Sequence, residues 1–236
     1  MVTTFTKTPA HARYMNSKPY KTIIFDLDGT LIDSMADIAA AANKALKTLN
    51  FPVHPADAYR FFVGDGLAVL ARRIVPEKTS VEQAGEVAEL FKRYYEQNWD
   101  QTTRPYPGIL HMLESLSRSP INLAVLSNKP DEFTQIYIKR FFPDIAFKFV
   151  FGNRPSVPQK PAPDSALEIA QKLECHPSQC LFVGDTNVDV KTGKAAGMTA
   201  MGVTWGFRDQ AELEKSGADI IIDTPQQLTD YVFSTS

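Results

Sequence analysis

From residue 22 onward the chain alternates short apolar runs with longer amphipathic stretches, a pattern that only strands joined by helices satisfy well. Runs at 22–25, 122–126, 148–151, 180–183, 199–203 and 219–222 read as strands, and helical patterns at 131–141, 164–173, 188–196 and 226–233 fill most gaps between them. Parallel strands need crossovers of about a dozen residues or more, which these intervals supply. The expected fold class is α/β, with a three-layer Rossmann-like parallel sheet core.

One interval is too long for a simple crossover. Almost a hundred residues separate the first two strands, so an inserted α-helical domain is expected there. Met35, Ile38, Ala39, Ala42, Leu46 and Leu49 follow the rhythm of one helix face, and 80–99 shows a second long helical pattern. Arg104-Pro105-Tyr106-Pro107-Gly108 reads as the return hinge, because two prolines fix φ and remove donors before a glycine. The expected division is a tail at 1–20, an α/β hydrolase-type core at 21–36 and 107–236, and a helical cap at 37–106.

Bulk properties exclude several classes. The chain has 25 Lys and Arg against 27 Asp and Glu, a net charge of −2, so no electrostatic case for nucleic acid or an anionic membrane arises. No apolar run approaches the roughly 18 residues of a membrane helix. The two cysteines, Cys175 and Cys180, are too few for a disulfide framework or a zinc site and fit a reducing, cytoplasmic setting. Residues 1–18 carry Lys7, Arg13 and Lys18 without an acid. A disordered tail is expected there, with a transit peptide as the alternative.

Chemistry begins where Ile23-Ile24-Phe25 runs into Asp26-Leu27-Asp28-Gly29-Thr30. At average residue usage, D-x-D-G-T at a chosen position has a chance of about 10⁻⁵. Ligands of open α/β sheets bind beyond the carboxyl ends of the strands, where this segment lies. Alternation on an extended segment points Asp26 and Asp28 the same way. Like charges held that close imply a shared proton or a metal ion. The ordinary reading is a turn in which Asp and Gly bend the chain.

Three other strand ends bring complementary groups. Leu123-Ala124-Val125-Leu126 ends at Ser127-Asn128-Lys129, and Phe182-Val183-Gly184 ends at Asp185 with Asp189 four residues on. Lys160 precedes Pro161-Ala162-Pro163-Asp164 and so stands beside a helix amino terminus, a place suited to an anion. Singly these are a turn hydroxyl, a solvated charge and a helix cap. Jointly they place acids for a divalent cation beside donors and a cation for a phosphoryl group.

These motifs resemble the haloacid dehalogenase superfamily of phosphohydrolases, in order as D-L-D-G-T, L-S-N-K-P, the lysine of Q-K-P-A-P, and V-G-D-T-N-V-D. The resemblance spans essentially all of the chain from Thr22 to Ile222. The helical insertion resembles the type 1 cap. Val63-Gly64-Asp65-Gly66-Leu67, Ser127-Asn128-Lys129-Pro130 and Gly202-Val203-Thr204-Trp205-Gly206-Phe207 look most like phosphoglycolate phosphatases.

The resemblance implies a magnesium-dependent phosphatase for a small phosphomonoester, with 2-phosphoglycolate the leading substrate. Asp26 would be the nucleophile that forms an aspartyl phosphate, and Asp28 the acid and then the base. Mg²⁺ would be held by Asp26, the Asp28 carbonyl and Asp185, with Asp189 in support. Ser127, Asn128 and Lys160 would bind phosphoryl oxygens, with Lys129 beside them, and Thr30 would position Asp28. Gly64, Asp65 and Gly66 would form the substrate-reading loop of the cap. A carboxylate substrate would be repelled by Asp65, so that side chain is expected to turn towards Arg60, Arg72 or Arg73, which would also offer a carboxylate clamp.

Alternatives within the superfamily are a phosphatase for a sugar phosphate, nucleotide or pyrophosphate, and a phosphosugar mutase, whose subgroup typically has valine where this chain has Thr30. A dehalogenase needs neither Asp28 nor Asp185, and a phosphonatase would use a cap lysine that is absent beside Gly64. From another class comes a non-catalytic phospholigand-binding protein on the same fold. The expected partner is a small molecule, with no nucleic acid and no membrane, and the protein a monomer or homodimer.

Overall fold

A computed structural model describes residues 20–234, so the expected tail lies, apart from Tyr20, outside the described residues. Among the described residues, β1 (Thr22–Phe25), β4 (Asn122–Pro130), β5 (Phe149–Asn153), β6 (Cys180–Gly184), β7 (Thr199–Val203) and β8 (Ile220–Ile222) form one sheet in the order β5-β4-β1-β6-β7-β8. Every neighbouring pair is parallel. All four residues of β1 are buried because it lies between β4 and β6 and is covered on both faces.

Strand alternation separates the two faces. Ile23 and Phe25 join one apolar cluster, with residues of α4 (Ile109–Ser117), α5 (Asp131–Phe141) and α9 (Pro225–Ser234). Ile24 points the other way, into a cluster with Ala166 and Ile169 of α6 (Asp164–Lys172). On that same face Gly193 of α7 (Asn187–Ala195) sits so close to β6 and β7 that an added Cβ would stand 3.0 Å from Phe182 and 3.2 Å from Ala200. Val190 of α7 meets Leu213 of α8 (Gln210–Lys215) across Ala200. The result is the expected three layers.

After β1 the chain passes through β2 (Ile32–Asp33) into α1 (Met35–Thr48), α2 (Leu67–Ile74) and α3 (Val81–Asn98), and returns through β3 (Arg104–Pro105). β2 and β3 pair antiparallel, so outgoing and returning chains form a two-stranded ribbon at the expected hinge. α3 starts where Ser80 and Gln83 make a capping box, and buries Ala84, Val87, Phe91 and Tyr95 at helical spacing. Sequence reading did not identify α2, α4, α8 or the ribbon.

The return is pinned by one carboxylate. Asp37, in the first turn of α1, accepts bonds from the backbone N–H and hydroxyl of both Thr102 and Thr103 at 2.7–3.1 Å. Burial favours its neutral form, but these donors outweigh burial and hold the carboxyl below its ordinary range. A depressed carboxylate adds stability above its unfolded pKa of about 3.9, and that contribution is lost as the pH falls through the folded value. Asp37→Ala is expected to cost about 2–4 kcal/mol at pH 7, since the buried N–H and hydroxyl of Thr103 and the part-buried pair of Thr102 lose their acceptor. Denaturant titration at pH 7 and pH 3 checks this: the deficit should shrink at the lower pH.

Candidate active site

Three strand ends and the starts of two helices deliver the site. Asp26 follows β1 directly, and Asp185 follows β6. β4 runs four residues further than expected, and its pairing with β5 jumps from Leu126↔Phe151 to Pro130↔Asn153. That bulge takes Ser127, Asn128 and Lys129 off the ladder, at the edge where Asp26 lies. Lys160 comes from the segment before α6, and Asp189 from the first turn of α7.

Lys160 is fully enclosed and bridges two acids: its Nζ is 2.7 Å from Asp26 Oδ1 and 2.6 Å from Asp189 Oδ1. Burial alone would lower the ammonium, but Asp189 and Asp26 hold it above the usual lysine range. Asp185, with no exposed surface, accepts from Thr30 Oγ1 at 3.1 Å and from the Phe207 N–H at 2.7 Å. Asp189 Oδ2 accepts from the Thr186 N–H and hydroxyl. Gly29 and Gly206 admit this packing: a Cβ on Gly29 would lie 2.2 Å from Asp185 Oδ2, and one on Gly206 2.3 Å from Asp185 Cβ.

Asp26, Asp185 and Asp189 each offer an oxygen within 4.8 Å of the others. With all three carboxylates ionised, one ammonium would leave two uncompensated negative charges in a buried site. Burial first, then Asp189, push Asp26 up to about 7 despite Lys160. Burial, Asp189 and Asp26 push Asp185 well above the usual range. An all-oxygen donor set with a double negative charge fits a hard divalent cation, which would remove the strain of three crowded acids.

Asp28 stands apart from that cluster. Both its carboxylate oxygens accept from Lys129 Nζ, at 2.8 and 3.0 Å, and Oδ1 also accepts from Ser34 Oγ at 2.5 Å. Lys129 is held in turn by the Tyr95 hydroxyl at 3.0 Å and lies over the Tyr137 ring. Asp26 and Asp28 nevertheless line one cavity, open to solvent, walled by Ser127, Asn128 and Lys129 from the core and by Gly64, Gly66 and Leu70 from the insertion.

Some side chains take places the sequence did not predict. Thr30 is a correction: its hydroxyl bonds Asp185, and Ser34 is the hydroxyl on Asp28, because the turn after Gly29 carries Thr30 back under the β6 end. The Asn128 amide has no capacity left for a phosphoryl oxygen. It donates to the Gly64 and Lys160 carbonyls and accepts from the Lys160 N–H, each at 2.9 Å. Asp65 pairs with Arg73 at 2.6 Å, and no arginine is among the cavity-lining residues, so the arginine clamp is not formed. Lys92 of α3 lines the cavity instead. Sequence reading took Tyr95 as packing, passed over Ser34 and Lys92, and named Phe207 only as part of a motif, with no role. A hydroxyl six residues beyond Asp28 was the one local signal available.

The haloacid dehalogenase-like hydrolase family model matches residues 23–203. A phosphoglycolate phosphatase of Haemophilus influenzae is 34% identical over 224 residues, covering 91% of this chain and 98% of the relative. That of Mannheimia succiniciproducens is 33% identical over 216 residues, covering 89% and 96%. The crystal structure of a predicted phosphoglycolate phosphatase from Haemophilus somnus superposes with a TM-score of 0.84 at 30% identity, covering 89% of this chain and 97% of that one. With the acids, lysine and strand ends in the order the motifs set, this chain belongs to the haloacid dehalogenase-like hydrolase family and is a phosphatase similar to phosphoglycolate phosphatases.

Proposed function

We propose that the chain hydrolyses 2-phosphoglycolate with Mg²⁺, through an aspartyl phosphate on Asp26. The observation that carries the metal-assisted reading is the buried Asp26–Asp185–Asp189 cluster, left two charges negative by Lys160. Asp26, Asp185 and Asp189 would hold the cation, which when bound neutralises charge between the carboxylates and an anionic phosphoryl group. Lys160 steadies Asp26 and supplies a positive charge where the equatorial oxygens gather charge in the transition state. Ser127, buried beside the cavity, offers its hydroxyl to one of those oxygens.

Asp28 works two residues beyond Asp26. Protonated, it gives its proton to the leaving alkoxide as the phosphorus–oxygen bond breaks. As a carboxylate it then takes a proton from the water that attacks the phosphorus of the intermediate, regenerating Asp26. Lys129 and Ser34 fix the orientation of Asp28 through both changes. Phosphate release from 2-phosphoglycolate, hexose phosphates, nucleoside monophosphates and pyrophosphate, each with Mg²⁺ or EDTA, tests the reading. Release from phosphoglycolate with Mg²⁺ alone supports it; a preference for any other member, or full activity in EDTA, refutes it.

The cavity also bears on the substrate. Lys129 is bound to Asp28, whereas among the described residues Lys92 has two carboxylates, Glu96 and Glu132, each at 4.0 Å, and can meet a second anionic group. Lys92→Gln is expected to cut kcat/KM on phosphoglycolate about tenfold, some 1.4 kcal/mol, and to leave a neutral sugar phosphate within a factor of about three. Asp65→Asn serves as the control and should shift neither. Equal losses on both substrates would remove Lys92 from substrate selection.

A further inference from the structure

The turn between the helical segment 56–61 and α2 is Val63-Gly64-Asp65-Gly66, with Gly64 at φ 115° and Gly66 at φ 85°. Its first three carbonyls face the sheet domain, and each accepts a bond from a different core side chain. Arg208 Nη2 reaches Val63 O at 3.0 Å, Asn128 Nδ2 reaches Gly64 O at 2.9 Å, and Gln159 Nε2 reaches Asp65 O at 3.0 Å. Those donors come from three separate segments, after β7, at the end of β4, and before α6. The loop is therefore gripped by its backbone from three directions, and none of its side chains takes part.

Each grip leads back to the reacting groups. The Asn128 amide that holds Gly64 also closes on both the N–H and the carbonyl of Lys160, whose ammonium bridges Asp26 and Asp189. Arg208 follows Phe207, whose N–H holds Asp185 and whose carbonyl accepts from Arg60 Nε of the insertion at 2.9 Å. Arg208 is buried, tied to Glu212 at 3.3 Å, and its Nη1 has no partner among the described residues. Gln159 is held by Asn153, and its Oε1 would lie 2.9 Å from a Cβ at Gly66, so the loop passes directly against it.

We propose that Gln159 and Arg208 are positioning residues of this phosphatase. Together with Asn128 they latch the carbonyls of residues 63–65 and so set the glycine wall of the cavity over Asp26. Because the latch reads backbone, it holds the wall in place whatever the loop side chains are, and it ties the substrate-facing wall to Lys160 and Asp185. The proposal rests on the phosphatase reading for its kinetic consequence only. The structural consequence, a tethered loop, stands without it.

The test uses Gln159→Leu, which removes an exposed donor, and Arg208→Lys, which keeps a charge but loses the fork. A net hydrogen bond is worth a factor of about 2–13 in an equilibrium, so amide exchange in a peptide spanning 62–70 should quicken about 3- to 10-fold in each variant, with β1 and β6 unchanged. On phosphoglycolate and on p-nitrophenyl phosphate alike, KM should rise by a similar factor while kcat changes less than about twofold. Gln159→Glu, equal in shape but without the donor, should behave as Gln159→Leu does. Wild-type exchange in both variants, or a loss confined to kcat, would overturn the latch. If wild type hydrolyses neither compound, the functional reading fails while the exchange result still decides the latch.

Discussion

Asp26→Asn is expected to fold normally and to lose at least about 10⁴-fold in turnover. The amide has the shape of the carboxylate but its neutral oxygen is a far weaker nucleophile towards phosphorus, and effects of this size follow loss of a covalent nucleophile. The fold should not suffer. Asp26 is one of three buried acids that repel one another, so neutralising it relieves crowding, and Lys160 keeps Asp189 at 2.6 Å. Thermal unfolding at or above the wild-type midpoint, with turnover lost, is the combined expectation. Appreciable turnover would place the nucleophile elsewhere.

Asp185→Ala is expected to have the next largest effect, a loss of about 10³-fold or more at ordinary Mg²⁺, relieved at most partly by excess. Two things are removed together. The cation loses an oxygen ligand, and Asp26 then faces an anionic phosphoryl group with less neutralising charge beside it. The loss of the carboxylate also strands the Thr30 hydroxyl and the Phe207 N–H, which bond it at 3.1 and 2.7 Å. Releasing the Phe207 N–H loosens the cavity wall that Phe207 lines and should raise KM as well. Activity measured across a Mg²⁺ series separates the two: a shifted half-saturation with a normal plateau would mean that Asp185 holds the metal and nothing more.

Much of this was legible in residue order. The six strand runs are where apolar sequence meets a turn signal, and the chemistry sits at their carboxyl ends because sheet topology puts it there. Ser80 caps α3 where the helical pattern was expected to begin, and Pro105 of the expected hinge lies in the return strand. What was not legible depends on contacts far apart in the chain. Nothing near Thr30 says that its hydroxyl will meet Asp185, 155 residues away. Three arginines were open to Asp65. Only the fold shows that Arg60 Nε is bonded to the Phe207 carbonyl and Arg72 Nη1 to that of Thr79, while Arg73 Nη1, bonded to the Phe62 carbonyl, also reaches the carboxylate. The β4 bulge that offers Ser127–Lys129 to the site was hidden for the same reason, since it exists only relative to β5. α8, at six residues, is too short to show a clear period.

The covalent intermediate is the centre of the account, and Asp28→Asn gives the most direct way to see it. With p-nitrophenyl phosphate the leaving group departs without an acid, so the first step survives the substitution. Attack by water then lacks its base, and should slow by about 10²- to 10⁴-fold. Enzyme quenched in acid during turnover and digested should therefore carry one phosphoryl group on the peptide that contains Asp26, in amounts that grow with the variant and vanish in Asp26→Asn/Asp28→Asn. A phosphoryl group found on any other residue, or none found while p-nitrophenol is still released in a burst, would contradict it.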